Sequence, residues 1–411
     1  MTLSSAFPSL HSSPDYCAPN PLCEYSSPTT THVGWQSSGS WRDSFDILYS
    51  CLATLLACAW SIQALNVPAK NDKLWRKVLR RVKWMCITLA FPEFITAVAL
   101  TELWRARQTR DDIKKTLKPN AEPWTLTHGF FVNMGGYVLV PQEGDREPFP
   151  LTGETLLILV ENDLIDVPDT ELDAIQDRSK TDSFARVFTL MQLAWTVIQS
   201  IARYEEDLPL APLEVITVWF ILPSVFTFVL EWYKPKDVDV PIEIQCHGKI
   251  EQGIVGQLSE KYVFICDKGL EDTATDSVAR IPFARPVIYY LGDGVTQPGW
   301  VIASMFFIGC AMGAYNAAHL LVHPNLFDSK WYLIWRYISI TAAILPVVPM
   351  LLNMFRRCLP ARISDVLLSG WIYVYAFARV FLLVMSVDTL VRSLPVNAYY
   401  GITWTNFIPH F

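Results

Sequence analysis

The segment Trp84–Trp104, WMCITLAFPEFITAVALTELW, constrains this chain more than any other. It is long and apolar enough to enter a lipid bilayer, which takes about 20 apolar residues to cross. Yet Pro92-Glu93 interrupts its centre and Glu102 stands near its end. Basic residues crowd both flanks: Lys70, Lys73, Arg76, Lys77, Arg80, Arg81 and Lys83 before it, Arg105, Arg107, Arg110, Lys114 and Lys115 after it. A simple crossing helix concentrates its positive charge on one side, and a carboxylate in hydrocarbon is costly enough to imply a job.

The rest of the chain says that a membrane is the right solvent to consider. Hydrophobic residues make up 51% of the 411 and charged residues only 18%, against about a quarter charged in an ordinary soluble domain. The deficit is concentrated in discrete apolar segments. A net charge of -7 argues against nucleic acid as a partner, because the basic residues sit beside apolar segments instead of forming a separate patch. The nine cysteines are scattered and form no CxxC, and no HExxH or His/Cys cluster occurs, so neither a metal site nor a cofactor is expected. Cys17 and Cys23 share a polar segment and would suit a disulfide if that segment is lumenal; spacing alone leaves this open.

The expected fold class is all-α integral membrane: a polytopic helical bundle with six clear spans plus a re-entrant or paired segment, and two polar cytoplasmic insertions. Residues 1–43 are a polar Ser/Pro/Thr-rich tail, neither a signal peptide nor a span. Residues 44–140 hold the first span, Ile47–Leu65, and the irregular membrane segment. Residues 141–183 form one polar insertion, 184–236 a helical hairpin (Val187–Ala202 and Pro212–Leu230), and 237–297 a second polar insertion. Within the second, Ile242–Ile250, Ile254–Leu258 and Tyr262–Asp267 read as short strands or extended segments. Residues 298–390 carry three spans, Gly299–Val322, Tyr332–Met354 and Val366–Leu390, and 391–411 is an aromatic interfacial tail. Basic loops placed inside give both termini outside. This alternation holds only if Trp84–Val140 contributes an even number of crossings. Either Trp84–Trp104 re-enters and contributes none, or Leu126–Val140 brings the chain back and the two contribute a pair.

Polar residues inside apolar segments are the candidate site. Glu93 follows a helix-breaking proline, so nearby carbonyls lose partners and the backbone there should face protein or a cavity. It is the first candidate acid, with Glu102 and Asp388 as second candidates; the plain alternative for all three is packing or an interfacial position. Arg379 lies near mid-span, where snorkelling to the interface is hard, and a carboxylate on another helix is its expected partner. Asn316 and His319 share one helical face and suit interhelical hydrogen bonding or substrate orientation. His128 stands in THGFFVNMGG, where Gly135-Gly136 allows an unusual turn or close packing. His128, Asn316, His319 and Arg379 are the candidate substrate-binding residues.

An ordered set of landmarks runs along the chain: Trp41-Arg42-Asp43, Asp46-Ile47-Leu48, Ser50-Cys51, Asn66-Val67-Pro68, Pro92-Glu93, His128-Gly129-Phe130, Met134-Gly135-Gly136, Asp182–Arg186, Leu213-Glu214, Trp232–Pro241, Ala378-Arg379, Trp404 and Pro409-His410. The set resembles a large group of mostly uncharacterised polytopic membrane proteins of filamentous fungi. Such proteins sometimes accompany specialised-metabolite pathways, which also use small integral-membrane terpene cyclases. By that analogy the expectation is a terpene cyclase or related isomerase in the endoplasmic reticulum or another internal membrane. Acid-initiated cyclisation of a lipophilic prenyl or epoxyprenyl substrate needs a carboxylic acid kept protonated by low dielectric, and aromatic walls for the cation. A small-solute or proton-coupled transporter and a non-enzymatic receptor or scaffold are the alternatives.

Overall fold

Asp43 fixes the start of the first helix. Its carboxylate accepts from the Asp46 N–H at 2.7 Å, and the Asp46 carboxylate accepts from the Asp43 N–H at 3.1 Å, a reciprocal cap that satisfies two orphan donors. Helix α1, Ser44–Ser61, follows. Its exposed face is a stripe of Phe45, Tyr49, Leu52, Leu56 and Trp60, while Ile47, Cys51, Leu55 and Cys58 pack inward. A surface stripe that apolar is made for an apolar neighbour. The computed structural model describes residues 32–37, 42–68, 73–116, 123–142, 148–179, 183–262, 309, 313–314, 316–317, 320, 329–346, 348 and 361–401.

Helices α2, Leu74–Ala90, and α3, Pro92–Thr116, meet at a bend of 112°. Pro92 has no N–H to give, and its ring disfavours the helical conformation at Phe91, which sits at φ -141°, ψ 64°. The contacts of each arm decide where the pair goes. At the start of α2, Arg81 lies over the Trp60 ring at 4.0 Å and holds Asp237 at 2.9 and 3.2 Å, and Lys77 holds Asp239 at 3.0 Å. Helices α7, Ser183–Glu205, and α8, Pro212–Leu230, form the hairpin expected there. Along α3, the Thr96 hydroxyl donates to the Pro223 carbonyl at 3.0 Å, and Glu102 takes Lys234 at 2.7 Å. Lys236, next in line, donates to the Ser61 carbonyl at 2.8 Å. Both arms therefore start and finish at the Ser61 end of the bundle. The bend turns the chain back toward that end.

The alternative of a returning crossing by Leu126–Val140 fails on its own geometry. That stretch is a helix of only eight residues, α4 (Leu126–Asn133), a turn, and strand β2 (Tyr137–Val140). Gly135 makes the turn at φ +81°, a conformation glycine adopts freely. Gly129 lets α4 lie directly on α3: a Cβ there would sit 2.2 Å from the Ala106 carbonyl oxygen.

Strand β2 is the centre of a three-stranded sheet, and the all-α expectation is corrected by it. It pairs antiparallel with β3 (Phe149–Pro150) and parallel with β4 (Ile242–Gln245), Tyr137 opposite Ile242. Helices α5 (Gly153–Glu161), α6 (Leu172–Gln176) and α9 (Gln252–Tyr262) complete a module whose core includes Ile113, Phe131, Leu139, Leu151, Leu156, Leu159 and Leu258. The two polar insertions thus close on each other. Ile254–Leu258, expected as extended, is helical within α9; a five-residue apolar run does not distinguish the two. Tyr262–Asp267 lies outside the described residues after Tyr262, as do Cys17, Cys23, His319 and most of Gly299–Val322.

Two further helices are α10, Ser329–Ile344, and α11, Ala361–Arg392. They pack with α1 and α8 around Ile47, Leu213, Trp335, Leu382 and Leu390. At this end strand β1 (His32–Val33) pairs with β5 (Leu394–Pro395), so both terminal segments lie together at the Ser44 end. Arg203 locks the arrangement by donating to the carbonyls of Ala398 and Tyr400, each at 2.8 Å, and Arg42 pairs with Glu214.

Candidate functional site at the helix break

The tip of the bent pair meets one face of α11. Trp371, Tyr375 and Arg379 recur every fourth residue there, so all three point the same way. Glu93, in the first turn of α3, is 3% exposed. Its Oε1 accepts from the Tyr375 hydroxyl. The Tyr375 oxygen accepts from the Asn316 amide at 3.0 Å, and the Asn316 carbonyl oxygen accepts from Arg379 Nη1 at 3.2 Å. Arg379 Nη2 closes the ring at 3.9 Å from Glu93 Oε2. Phe91 and Trp371 stack against Tyr375, with centroids 5.7 and 5.6 Å away, and the Trp371 N–H donates to the Leu345 carbonyl at 2.6 Å.

The break itself supplies part of the electrostatics. The Ala90 carbonyl, at the end of α2, accepts from Arg379 Nε at 3.1 Å. Helix ends carry partial charge, negative at the C-terminus and positive at the N-terminus. Arg379 therefore meets the negative end of α2, and Glu93 sits in the positive first turn of α3. Each ionic group is matched to a helix end and to the other. Arg379 and Glu93 thus face each other across the break.

Other candidates fall elsewhere. Glu102 is nine residues further along α3, roughly 13 Å by the helical rise, and is paired with Lys234, whose Nζ also lies 3.9 Å from Glu231. Asp388 is partly exposed and paired with Arg392 one turn on, at 2.7 Å. His128 belongs to the module and has both ring nitrogens occupied. Its Nε2 faces the Thr170 carbonyl at 2.8 Å, which fixes the hydrogen there and leaves Nδ1 to accept from the Thr125 N–H at 3.2 Å and hydroxyl at 2.8 Å. Burial holds His128 below its ordinary value, opposed by the Thr170 carbonyl. Burial also pushes the Tyr137 hydroxyl up to about 12. His128 thus organises α4. Of the residues expected from sequence, Glu93, Asn316 and Arg379 come together. Tyr375, Trp371 and Phe91 were missed; the four-residue spacing back from Arg379 and the position before Pro92 were the available signals. Among the described residues no group of three His, Cys, Asp or Glu is gathered as a metal site.

Among the described residues three helices, α1, α8 and the Tyr373–Arg392 part of α11, are long and apolar enough to cross a membrane, or four spans if the bent pair is one. That defines a predominantly helical protein compatible with a bilayer. Residues 20–258 match the model of a family of unknown function, DUF8562, and the chain belongs to it. No curated protein and no solved structure matches the chain. The matched part contains Glu93, Glu102 and His128; Asn316, Tyr375 and Arg379 lie beyond it.

Proposed function

We propose that the chain is a multi-pass protein of an internal membrane that carries out acid–base chemistry on a lipophilic molecule at the re-entrant tip. The membrane part is supported by the outward apolar surfaces: the α1 stripe, Leu222, Phe226 and Val229 on α8, and Tyr373, Phe377, Val380 and Val384 on α11. The observation that carries the site is the closed ring of Glu93, Tyr375, Asn316 and Arg379 sealed beside Phe91 and Trp371. A buried ion pair is a weak source of stability compared with apolar packing. Ionisable groups inside a membrane are costly and tend to mark function.

Within the terpene cyclase or isomerase expectation, charge balance favours the isomerase branch. With the Tyr375 hydroxyl donating to Oε1 and Arg379 3.9 Å from Oε2, Glu93 is placed to take a proton from an activated carbon and return it at another, leaving no net change in atoms or electrons. Acid-initiated cyclisation would instead require Glu93 to be loaded with a proton and turned away from Arg379. The rings of Phe91, Trp371 and Tyr375 would then face the developing cation. Microsomes holding the full chain, fed prenyl and epoxyprenyl substrates, test both branches: rearranged or cyclised product that disappears in Glu93→Gln at unchanged protein level is the expected result. Equal turnover in that variant removes Glu93 from the chemistry.

A carrier is the second reading, favoured by the helix break. Transport sites are often built where discontinuous helices present their ends at mid-membrane. Solute or proton flux into proteoliposomes, abolished by Glu93→Gln in the absence of any turnover, would replace the enzyme with the carrier.

A further inference from the structure

Helix α2 carries a second surface that the tip does not use. Leu74, Trp75, Val78, Leu79 and Val82 recur at spacings of three and four and form one exposed stripe, with Leu74 77% and Leu79 59% exposed. Lys73, Arg76 and Lys83 lie exposed along its margin. No acidic residue occurs from Lys73 to Pro92. Asp237 and Asp239 meet Arg81 and Lys77 on the other margin, toward the protein. The Arg76 guanidinium lies 5.5 Å from the Trp75 ring.

We infer that the Lys73–Lys83 half of α2 is a docking surface for anionic phospholipid headgroups at the Ser61 end of the bundle. The inference rests on the membrane reading above. Charge complementarity and continuity both point to lipid. The α2 stripe meets the exposed stripe of α1 where Arg81 stacks on Trp60, so the two are one apolar exterior. An amphipathic helix with an apolar face and basic margins lies in the interfacial plane. Tryptophan suits the depth of the acyl boundary, and a guanidinium beside it reaches the phosphate, which it can hold with two parallel hydrogen bonds. The apolar half of α2 runs on from there to Ala90, whose carbonyl meets Arg379, so the same element would sense headgroup charge at one end and hold the Glu93 ring at the other.

Full chain in vesicles of phosphatidylcholine and phosphatidylserine, given photoactivatable probes of each lipid in turn, tests this by mapping crosslinked peptides. The expected result is preferential labelling of the Lys73–Lys83 peptide by the serine lipid. That preference should fall about fivefold for each charge removed in Lys73→Gln and Arg76→Gln, and persist in the charge-keeping pair Lys73→Arg and Arg76→Lys. Equal labelling by both lipids overturns the inference while leaving the membrane reading intact. Crosslinks to a second protein chain in place of lipid also overturn it. Release of the wild-type chain by an alkaline wash would remove the membrane reading itself.

Discussion

The bent pair α2–α3 is held by charge in two places, at its mouth and at its tip, and the two are built differently. At the mouth close ionic pairs recur: Glu102 and Lys234 at 2.7 Å, Lys77 and Asp239 at 3.0 Å, Arg81 on Asp237 with two bonds. At the tip Glu93 and Arg379 stand 3.9 Å apart and are joined the long way round, through Tyr375 and Asn316. The mouth is a clamp. The tip is a ring with neutral members, in which one group changes its bonds without emptying the whole of its partner's. Direct pairs suit anchoring; a ring suits chemistry.

Removing Lys234 should give the largest effect. Lys234→Met takes from buried Glu102 the cation it meets at 2.7 Å, and should lower stability by about 3–5 kcal/mol, read by denaturant or thermal unfolding in detergent. Adding Glu102→Gln should recover part of that loss, since the two residues interact directly. Tyr375→Phe at the tip should cost less stability, about 1–3 kcal/mol from the unpaired acceptor and donor, while activity on the substrate found above falls by roughly a hundredfold or more. An activity loss no greater than the loss of folded protein would make the tip a second clamp. Asp237→Asn, at the partly exposed margin of the mouth, should change stability by no more than about 1 kcal/mol. The smallest effect belongs to the module. Burial holds folded His128 below the 6.5 of the unfolded chain, so the unfolded chain binds the proton first as pH falls. Its neutral-form contribution is full above 6.5 and is lost as pH drops below that value. His128→Gln should flatten that slope in a pH series of unfolding curves.

The break at Pro92-Glu93 was legible because proline acts locally. Gly129 and Gly135 fold Leu126–Val140 down onto α3 as part of the module, which the charge pattern of the loops does not reveal. Strand β4 could be read from its alternation, but not its partner: parallel pairing with β2 crosses the entire α7–α8 hairpin. Asp388, a second candidate acid from the sequence, has Arg392 as its partner one turn away. Tyr375 escaped notice because a tyrosine in an aromatic-rich helix has many ordinary explanations. Only the arrival of Glu93 from another part of the chain singles it out. Landmarks quoted for the resemblance turn out to be joints: Arg42 with Glu214, and Lys234, Lys236, Asp237 and Asp239 with the mouth.

The pairing of β2 with β4 also sets an order of assembly. β2 leaves the ribosome about a hundred residues ahead of its parallel neighbour, and the hairpin α7–α8 is made in the interval. During that time one edge of β2 has no partner, and an open edge recruits other strands. A chain stopped after Leu230 would carry the hairpin but keep the edge bare. The module is therefore finished only after the hairpin is in place, and synthesis itself, run from one end to the other, delivers the strand that seals it.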